Sequence, residues 1–347
     1  MFFASDNAGP VHPRVLAALT EANQGYAPSY GADAVMDRVR NRIREIFEAP
    51  EAAVHLVATG TAANALALAS LTAPYETVFC TPVAHIHEDE CNAPEFFSAG
   101  AKLTLVPGGD KMTPEALRRT IRAEGNRGVH GPQRGPVSLT QATERGGVYS
   151  VAEIAALTAV ARDFGLSTYM DGARFTNALV TLGCTPAEMT WKAGIDVVSL
   201  GGTKNGLMGV EALIFFDPKK SWEFELRRKR GAHLFSKHRY LSAQMEAYLT
   251  DDLWLEMATA ANANCARLAE GLRRAGARLL HTPQANLIFA ALPRRAHQRL
   301  IAEGAMYHLL DGTLEGEDPD ELLTCRLVCD WSISDALIDQ FLTLAAA

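Results

Sequence analysis

The sequence predicts an α/β protein: a mostly parallel sheet with helices on both faces, followed by a small C-terminal α+β domain. Three observations carry this expectation. Short apolar runs recur at Val54 to Ala58, Thr77 to Cys80, Leu103 to Val106, Val137 to Thr140, Ser167 to Met170, Val197 to Leu200 and Ala212 to Phe216. Helix-forming stretches separate several of them, and strands alternating with helices mean parallel strands covered by their connections. Beyond about Asp217 the alternation gives way to a basic loop and a long helical region.

Taken in order, the start Met1-Phe-Phe-Ala-Ser5-Asp6-Asn7 has neither the basic region nor the long apolar core of a signal peptide. From Ala52 to Tyr75 no Asp, Glu, Lys or Arg occurs, yet Thr59, Gly60, Thr61, Asn64 and Ser70 interrupt the run. A strand, a turn and a buried helix account for it better than a membrane span does. Helices are expected at Thr113 to Ala123 and at Val151 to Phe164, the second placing Ile154, Leu157, Val160 and Ala161 on one buried stripe. The Gly- and Pro-rich stretch Gly125 to Pro136 reads as a long loop. After the basic run Arg227-Arg-Lys-Arg230-Gly-Ala-His233 comes a helical region from roughly Tyr240 to Ala275. Apolar runs at Leu287 to Leu292 and Cys325 to Val328 then flank an acidic turn, Glu315-Gly-Glu-Asp-Pro319. We divide the chain into a large α/β domain over 1–235, including the N-terminal segment, and a linking helix with the small domain over 236–347.

At 347 residues, 48% hydrophobic and 21% charged, the chain has room for one large and one small domain. A formal charge of -7 argues against nucleic acid or an anionic membrane as the main partner. Six cysteines, at 80, 91, 184, 265, 325 and 329, lack the paired spacing of a zinc site and are too sparse for a disulfide framework. A reducing cytoplasm is the expected location.

The chemistry is carried by Tyr169-Met-Asp171-Gly-Ala-Arg174-Phe-Thr-Asn177 and, a helix-length later, Val197-Val-Ser-Leu-Gly-Gly-Thr203-Lys204-Asn205-Gly206. A carboxylate ends one apolar run and a lysine ends the next, so parallel strands deliver both to one rim, where open α/β sheets bind ligands. Pyridoxal phosphate enzymes need this pair: the carboxylate keeps the pyridine nitrogen protonated, and the lysine carries the cofactor as a Schiff base. Thr59-Gly60-Thr61 opens an Ala- and Leu-rich helix whose free N–H groups suit a phosphate, although the same residues read as an ordinary helix start capped by Thr61. His85-Ile-His87-Glu88-Asp89-Glu90-Cys91 could place two imidazoles on one side of an extended segment as metal ligands, but it carries more acid than a zinc site wants. We expect no metal there, and an imidazole stacked on an aromatic ring instead. His130, in the Gly/Pro loop, stands where a mobile proton-transfer group would sit.

Together Ser5-Asp6-Asn7, Tyr30-Gly31, Gly60-Thr61-Ala62-Ala63-Asn64, Ala84-His85, Asp171-Gly-Ala-Arg174 and Gly201-Gly-Thr-Lys204-Asn-Gly resemble the low-specificity L-threonine aldolases, members of the fold-type I pyridoxal phosphate enzymes. The resemblance runs from Phe3 to about Trp331. It implies Lys204 as the Schiff-base lysine, Asp171 as partner of the pyridine nitrogen, His85 stacked on the ring, and Gly60 and Thr61 on the phosphate. It also implies Arg174 beside the cofactor oxygen and the substrate, Arg326 forked onto the substrate carboxylate and Ser5 near the substrate. Tyr30 and a basic residue of 227–237 would reach a neighbouring protomer's site in a homodimer or dimer of dimers. The implied activity is retro-aldol cleavage of L-threonine, L-allo-threonine and related β-hydroxy amino acids to glycine and an aldehyde. The base for the β-hydroxyl is expected to be His130, with His85 or a carboxylate of the segment Glu88-Asp89-Glu90, Glu88 first, acting through water as the alternatives. Alternatives in the same cofactor class are an aldolase for phenylserine or other bulky substrates, an aminotransferase and a β-eliminating lyase. A nicotinamide-dependent oxidoreductase is disfavoured because no Gly-x-Gly-x-x-Gly opens a helix, and a non-catalytic interaction protein would not need the Asp and Lys pair.

Overall fold

The computed structural model describes residues 1–346. Its central sheet holds β1 (Ala53–Val57), β2 (Glu76–Cys80), β3 (Lys102–Leu105), β4 (Gln133–Thr140), β5 (Thr168–Asp171), β6 (Val197–Gly201) and β7 (Glu211–Phe215). The order is β1-β7-β6-β5-β4-β2-β3. Pairings β2–β3, β2–β4, β4–β5 and β5–β6 are parallel, whereas β7 is antiparallel to both β6 and β1. Most strands coincide with an apolar run, because a strand covered on both faces must be apolar on both. However, β4 begins at Gln133, inside the expected loop Gly125 to Pro136, and the edge strand β3 leaves Lys102 and Leu105 exposed.

The charge-free stretch after β1 forms the helix Gly60–Leu71, buried from Ala62 to Ala69. An all-round apolar helix belongs inside a protein as well as in a membrane. Among the described residues no helix is long and apolar enough to cross a membrane.

The expected helical region after Tyr240 consists of two helices, Arg239–Leu249 and Leu253–Arg274. Asp251 and Asp252 break it by adopting φ of 51° and 55°, a left-handed conformation that Asp tolerates better than most residues. The second sheet is antiparallel, ordered β10-β11-β9-β8, from β8 (Arg278–Leu279), β9 (Leu287–Pro293), β10 (His308–Leu309) and β11 (Leu322–Val328). Strands β8 and β10 escape sequence reading because two residues carry no periodicity.

The core of the large sheet takes in Leu241, Met245, Tyr248, Trp254 and Met257. A second core gathers Phe3, Cys265, Leu268, Ile288, Leu327 and Phe341. Helix Leu253–Arg274 therefore feeds both cores, while the division expected at 235/236 falls in the loop between helices Ser221–Arg230 and Arg239–Leu249. The N-terminal segment also joins the small sheet: Phe3 N–H donates to Met306 O and Val328 N–H donates to Phe3 O, both at 2.8 Å. From there the chain crosses to the rim of the large sheet.

Candidate active site

Asp171 ends β5 opposite Thr140, the last residue of β4, and Lys204 follows the end of β6. The adjoining Gly172 allows these strand ends to close up, since a Cβ there would lie 2.0 Å from Ser199 O. Asp171 is buried; its Oδ1 accepts the Ala173 N–H and its Oδ2 accepts Asn64 Nδ2, each at 2.9 Å. The same Asn64 Nδ2 lies 2.7 Å from Glu90 Oε1, and Asn64 Oδ1 accepts the Tyr169 hydroxyl at 2.6 Å. Asn64 comes from the buried helix Gly60–Leu71, so one amide ties that helix to β5 and to the segment after β2.

His85 belongs to this network. Its Nδ1 is 2.7 Å from Glu90 Oε1, and its backbone N–H donates to Glu144 Oε1 at 2.9 Å, an oxygen that also accepts the Thr140 hydroxyl at 2.8 Å. The hydrogen bond to Glu90 raises the His85 proton affinity against the opposing effect of burial, with Asp171 adding to the rise. Burial pushes Glu90 up, offset by its bonds to His85 and Asn64. Burial also pushes Glu144 up to about 7.

The Lys204 amine is desolvated, which lowers its proton affinity; Arg174 lowers it further, while Asp6, Asp171 and Glu211 oppose the fall. A lysine placed this way is the kind that serves as a nucleophile. Arg174 grips the buried Asp6 by Nε and Nη2. Arg326 donates Nη2 to Ala4 O at 3.1 Å, and its Nε is buried without a protein partner. Burial lowers its proton affinity, as does Arg174 nearby. At the start of helix Gly60–Leu71 the cap is Thr59, whose side chain accepts the Ala62 N–H, and not Thr61 as the sequence reading allowed. The N–H groups of Gly60 and Thr61 thus stand at an open helix end, and no atom comes within 4 Å of where a Gly60 Cβ would be.

The structure brings Asp171, Lys204, Arg174, Arg326 and His85 into one charge-coupled group, with Gly60 and Thr61 on the helix that carries Asn64. Ser5 sits in the N-terminal segment beside Asp6, its hydroxyl accepting the Asn7 N–H. Other expectations differ. His85 and His87 lie on a short helix, His85–Glu88, so two residues of separation turn the imidazoles to different sides, which removes the geometry of the metal reading. Glu88 is exposed, and the buried acid of that segment is Glu90. His130 is exposed in a 3-10 turn just before β4 begins at Gln133, whereas Asp171 faces the far end of that strand, about 25 Å away at ~3.3 Å per residue. Tyr30 is exposed with its ring 4.6 Å under Lys229 Nζ; Arg227 pairs with Glu223, and Arg228 is buried against Leu56 O.

Sequence reading gave no role to Glu144, Glu211 or Asp6, and took Asn64 only as an interruption of an apolar run and the end of the Gly60-Thr61-Ala62-Ala63-Asn64 motif. It offered Glu90 only within the acid segment Glu88-Asp89-Glu90 that could activate a water. The available signal was a polar residue inside an otherwise apolar stretch, as with Asn64 in its Ala/Leu helix and Glu211 opening a wholly buried strand.

A mostly parallel sheet delivering a buried carboxylate and a desolvated lysine to one rim, beside a small α+β unit, is the architecture of the fold-type I pyridoxal phosphate class. A Sphingomonas wittichii serine palmitoyltransferase shares this fold, with a TM-score of 0.72 at 17% identity over 100% of this chain and 86% of that one. Within that class the chain belongs to the beta-eliminating lyase family, which it matches over residues 3–294. It is similar to a "Low specificity L-threonine aldolase" of Pseudomonas sp. (strain NCIMB 10558), 40% identical across 97% of this chain and 95% of the relative. A protein of the same description from Pseudomonas aeruginosa is 42% identical across 95% and 92%. A Leishmania major threonine aldolase structure superposes with a TM-score of 0.91 at 25% identity, covering 99% of this chain and 98% of that one.

Proposed function

We propose that this protein is a pyridoxal phosphate-dependent aldolase that cleaves L-threonine, L-allo-threonine and related β-hydroxy-α-amino acids to glycine and an aldehyde. The observation that carries the reading is the placement of Asp171 and Lys204 on one strand rim, in a chain 40% identical to a low specificity L-threonine aldolase. The residues present fit the cofactor. Asp171 is a buried carboxylate where a ring N–H needs an acceptor, Lys204 is a desolvated amine, and the helix start at Gly60 and Thr61 leaves N–H groups for a phosphate. When bound, pyridoxal phosphate supplies the electron sink for the pair released as the Cα–Cβ bond breaks.

The protein's own groups do the rest. Arg326, with an unpartnered buried Nε, takes the substrate carboxylate, which a planar guanidinium can hold bidentately, and Arg174, whose Nε and Nη2 are given to Asp6, adds its charge and Nη1 beside it. That grip orients the Cα–Cβ bond for cleavage. His85 takes the β-hydroxyl proton as the aldehyde carbonyl forms, and Glu90 at Nδ1 stabilises the imidazolium produced. Lys204 Nζ returns a proton to Cα, completing glycine. Ser5 and Tyr30 are assigned to the substrate end of the site. His130 acts on a substrate only where another copy of the chain delivers its loop. We further propose a homo-oligomer, a dimer of dimers, and a cytoplasmic location in keeping with six free cysteines.

The test is product analysis. Purified protein given L-threonine, L-allo-threonine or L-phenylserine without a keto acid should release glycine and the matching aldehyde, and Lys204→Ala should lose both this activity and the visible band of bound cofactor. A strict requirement for an added keto acid would instead identify an aminotransferase.

A further inference from the structure

Strand β7 begins at Glu211, antiparallel to β6 and in register with its last residue, Gly201; on its other side it faces Val57 of β1. This register puts a carboxylate at the base of the loop that carries Lys204. Glu211 is buried, its Oε2 accepts the Gly202 N–H at 2.8 Å, and its Oε1 accepts the Thr203 hydroxyl at 2.5 Å. Both oxygens are thus acceptors for the two residues immediately before the lysine. The neighbouring Asn205 is held separately, by Nδ2 donation to the Tyr248 hydroxyl at 2.7 Å and to Trp254 O at 2.9 Å.

We propose that Glu211 is a positioning residue for Lys204: it clamps the Gly202-Thr203 turn and sets, through its negative charge, how tightly Lys204 Nζ holds a proton. The inference rests on Lys204 being the cofactor lysine. Five titratable groups act on Lys204: Arg174 and, when protonated, His85 disfavour the protonated amine, while Asp6, Asp171 and Glu211 favour it. Asp6 is committed to Arg174 by two hydrogen bonds, and Asp171 serves Asn64 and the Ala173 N–H. Among the described residues no cationic side chain bonds Glu211, whose partners are the Gly202 N–H and the Thr203 hydroxyl, and the cation acting on it is Lys204. Burial pushes the Glu211 carboxyl up to about 7; its bonds to Thr203 and Gly202 and the nearby Lys204 oppose that rise, and Asp171 adds to it. Burial raises the acid and lowers the base, and each group's charge acts on the other, so removing one changes the other.

The experiment uses the cofactor-loaded enzyme and reads the pH midpoint of its visible band, which reports the proton on Lys204 Nζ. Glu211→Gln keeps the size of the side chain and can still bond both Gly202 and Thr203, because the hydroxyl can turn to accept. It should lower the midpoint by about one pH unit, the low end of what a neighbouring charge does. Thr203→Val removes one donor to the carboxylate, favours its neutral form, and should move the midpoint the same way by less. Circular dichroism melts of both variants establish that they are folded. A folded Glu211→Gln with the wild-type midpoint overturns the proposal, and so does a wild-type midpoint in Thr203→Val if Glu211→Gln is not recovered folded. Failure of the underlying reading looks different: the band would persist in Lys204→Ala.

Discussion

Arg174 grips Asp6 through two parallel hydrogen bonds, Nε to Oδ2 at 2.8 Å and Nη2 to Oδ1 at 2.9 Å, although 168 residues separate them in the chain. The Asp6 side chain is wholly buried and that of Arg174 nearly so. Asn286, which immediately precedes β9, adds a third bond to Asp6 at 3.0 Å and donates to Cys329 O at 2.8 Å. The pair therefore fastens a site arginine of the large sheet to the N-terminal segment and to the small sheet at once.

Asp6→Asn should raise KM for the amino acid at least tenfold while leaving the visible band in place. It should also destabilise the fold by about 1–3 kcal/mol at pH 7, because a charge-assisted bidentate pair is lost in a buried setting. Burial opposes ionisation of Asp6, but Arg174 and Lys204 outweigh it and hold the carboxyl below its ordinary 3.8. A depressed carboxylate contributes stability that is present above the unfolded value and lost as pH falls through the folded one. The wild-type advantage over Asp6→Asn should therefore be full at pH 5 to 7 and shrink below 3.8. Urea melts across that range check it.

The His85–Glu90 contact has its own pH signature. His85 sits above its ordinary 6.5, chiefly because of the hydrogen bond to Glu90, so the stability it contributes is complete below 6.5 and is lost as pH rises through the folded value. Glu90→Gln should lower the His85 titration midpoint, read by NMR of the ring in the folded protein. An unchanged midpoint would mean that Asp171 and not Glu90 sustains the imidazolium.

Among the candidate bases, His85→Ala should cost about 10²–10⁴ in turnover, the usual worth of a positioned base. Glu88→Gln, altering an exposed side chain, should match wild type. His130→Ala should leave the visible band unchanged, since that residue lies beyond the opposite end of β4 from Asp171. A drop in its turnover would show that the loop works in a neighbouring copy's site.

Tyr30 tests the assembly. Inactive Lys204→Ala protomers mixed with inactive Tyr30→Ala protomers should regain part of the wild-type activity if each site is completed across a two-fold interface. Light scattering at assay concentration, giving an active monomer, would refute the shared site.

The sequence by itself determined the strands, because a buried strand is written in a handful of adjacent apolar residues and its end in the polar residue that follows. Asp171 and Lys204 were legible for that reason: each terminates such a run, and helices between runs force the strands parallel and the ends onto one rim. Short elements were not legible. The helix His85–Glu88 is four residues long, so its periodicity is invisible, and the choice of Thr59 over Thr61 as cap depends on backbone angles that both residues could adopt. Only the tertiary structure decided which polar groups meet. Asn64 reaches Asp171 across 107 residues, Arg174 reaches Asp6 across 168, and Glu211 meets the Lys204 loop because β7 happens to run antiparallel to β6. It likewise decided that His130 stands at the far end of β4. Apolar patterning is repeated and local, and survives in any stretch of chain. A buried hydrogen bond is a single event between two distant residues, required only because packing has removed water from both.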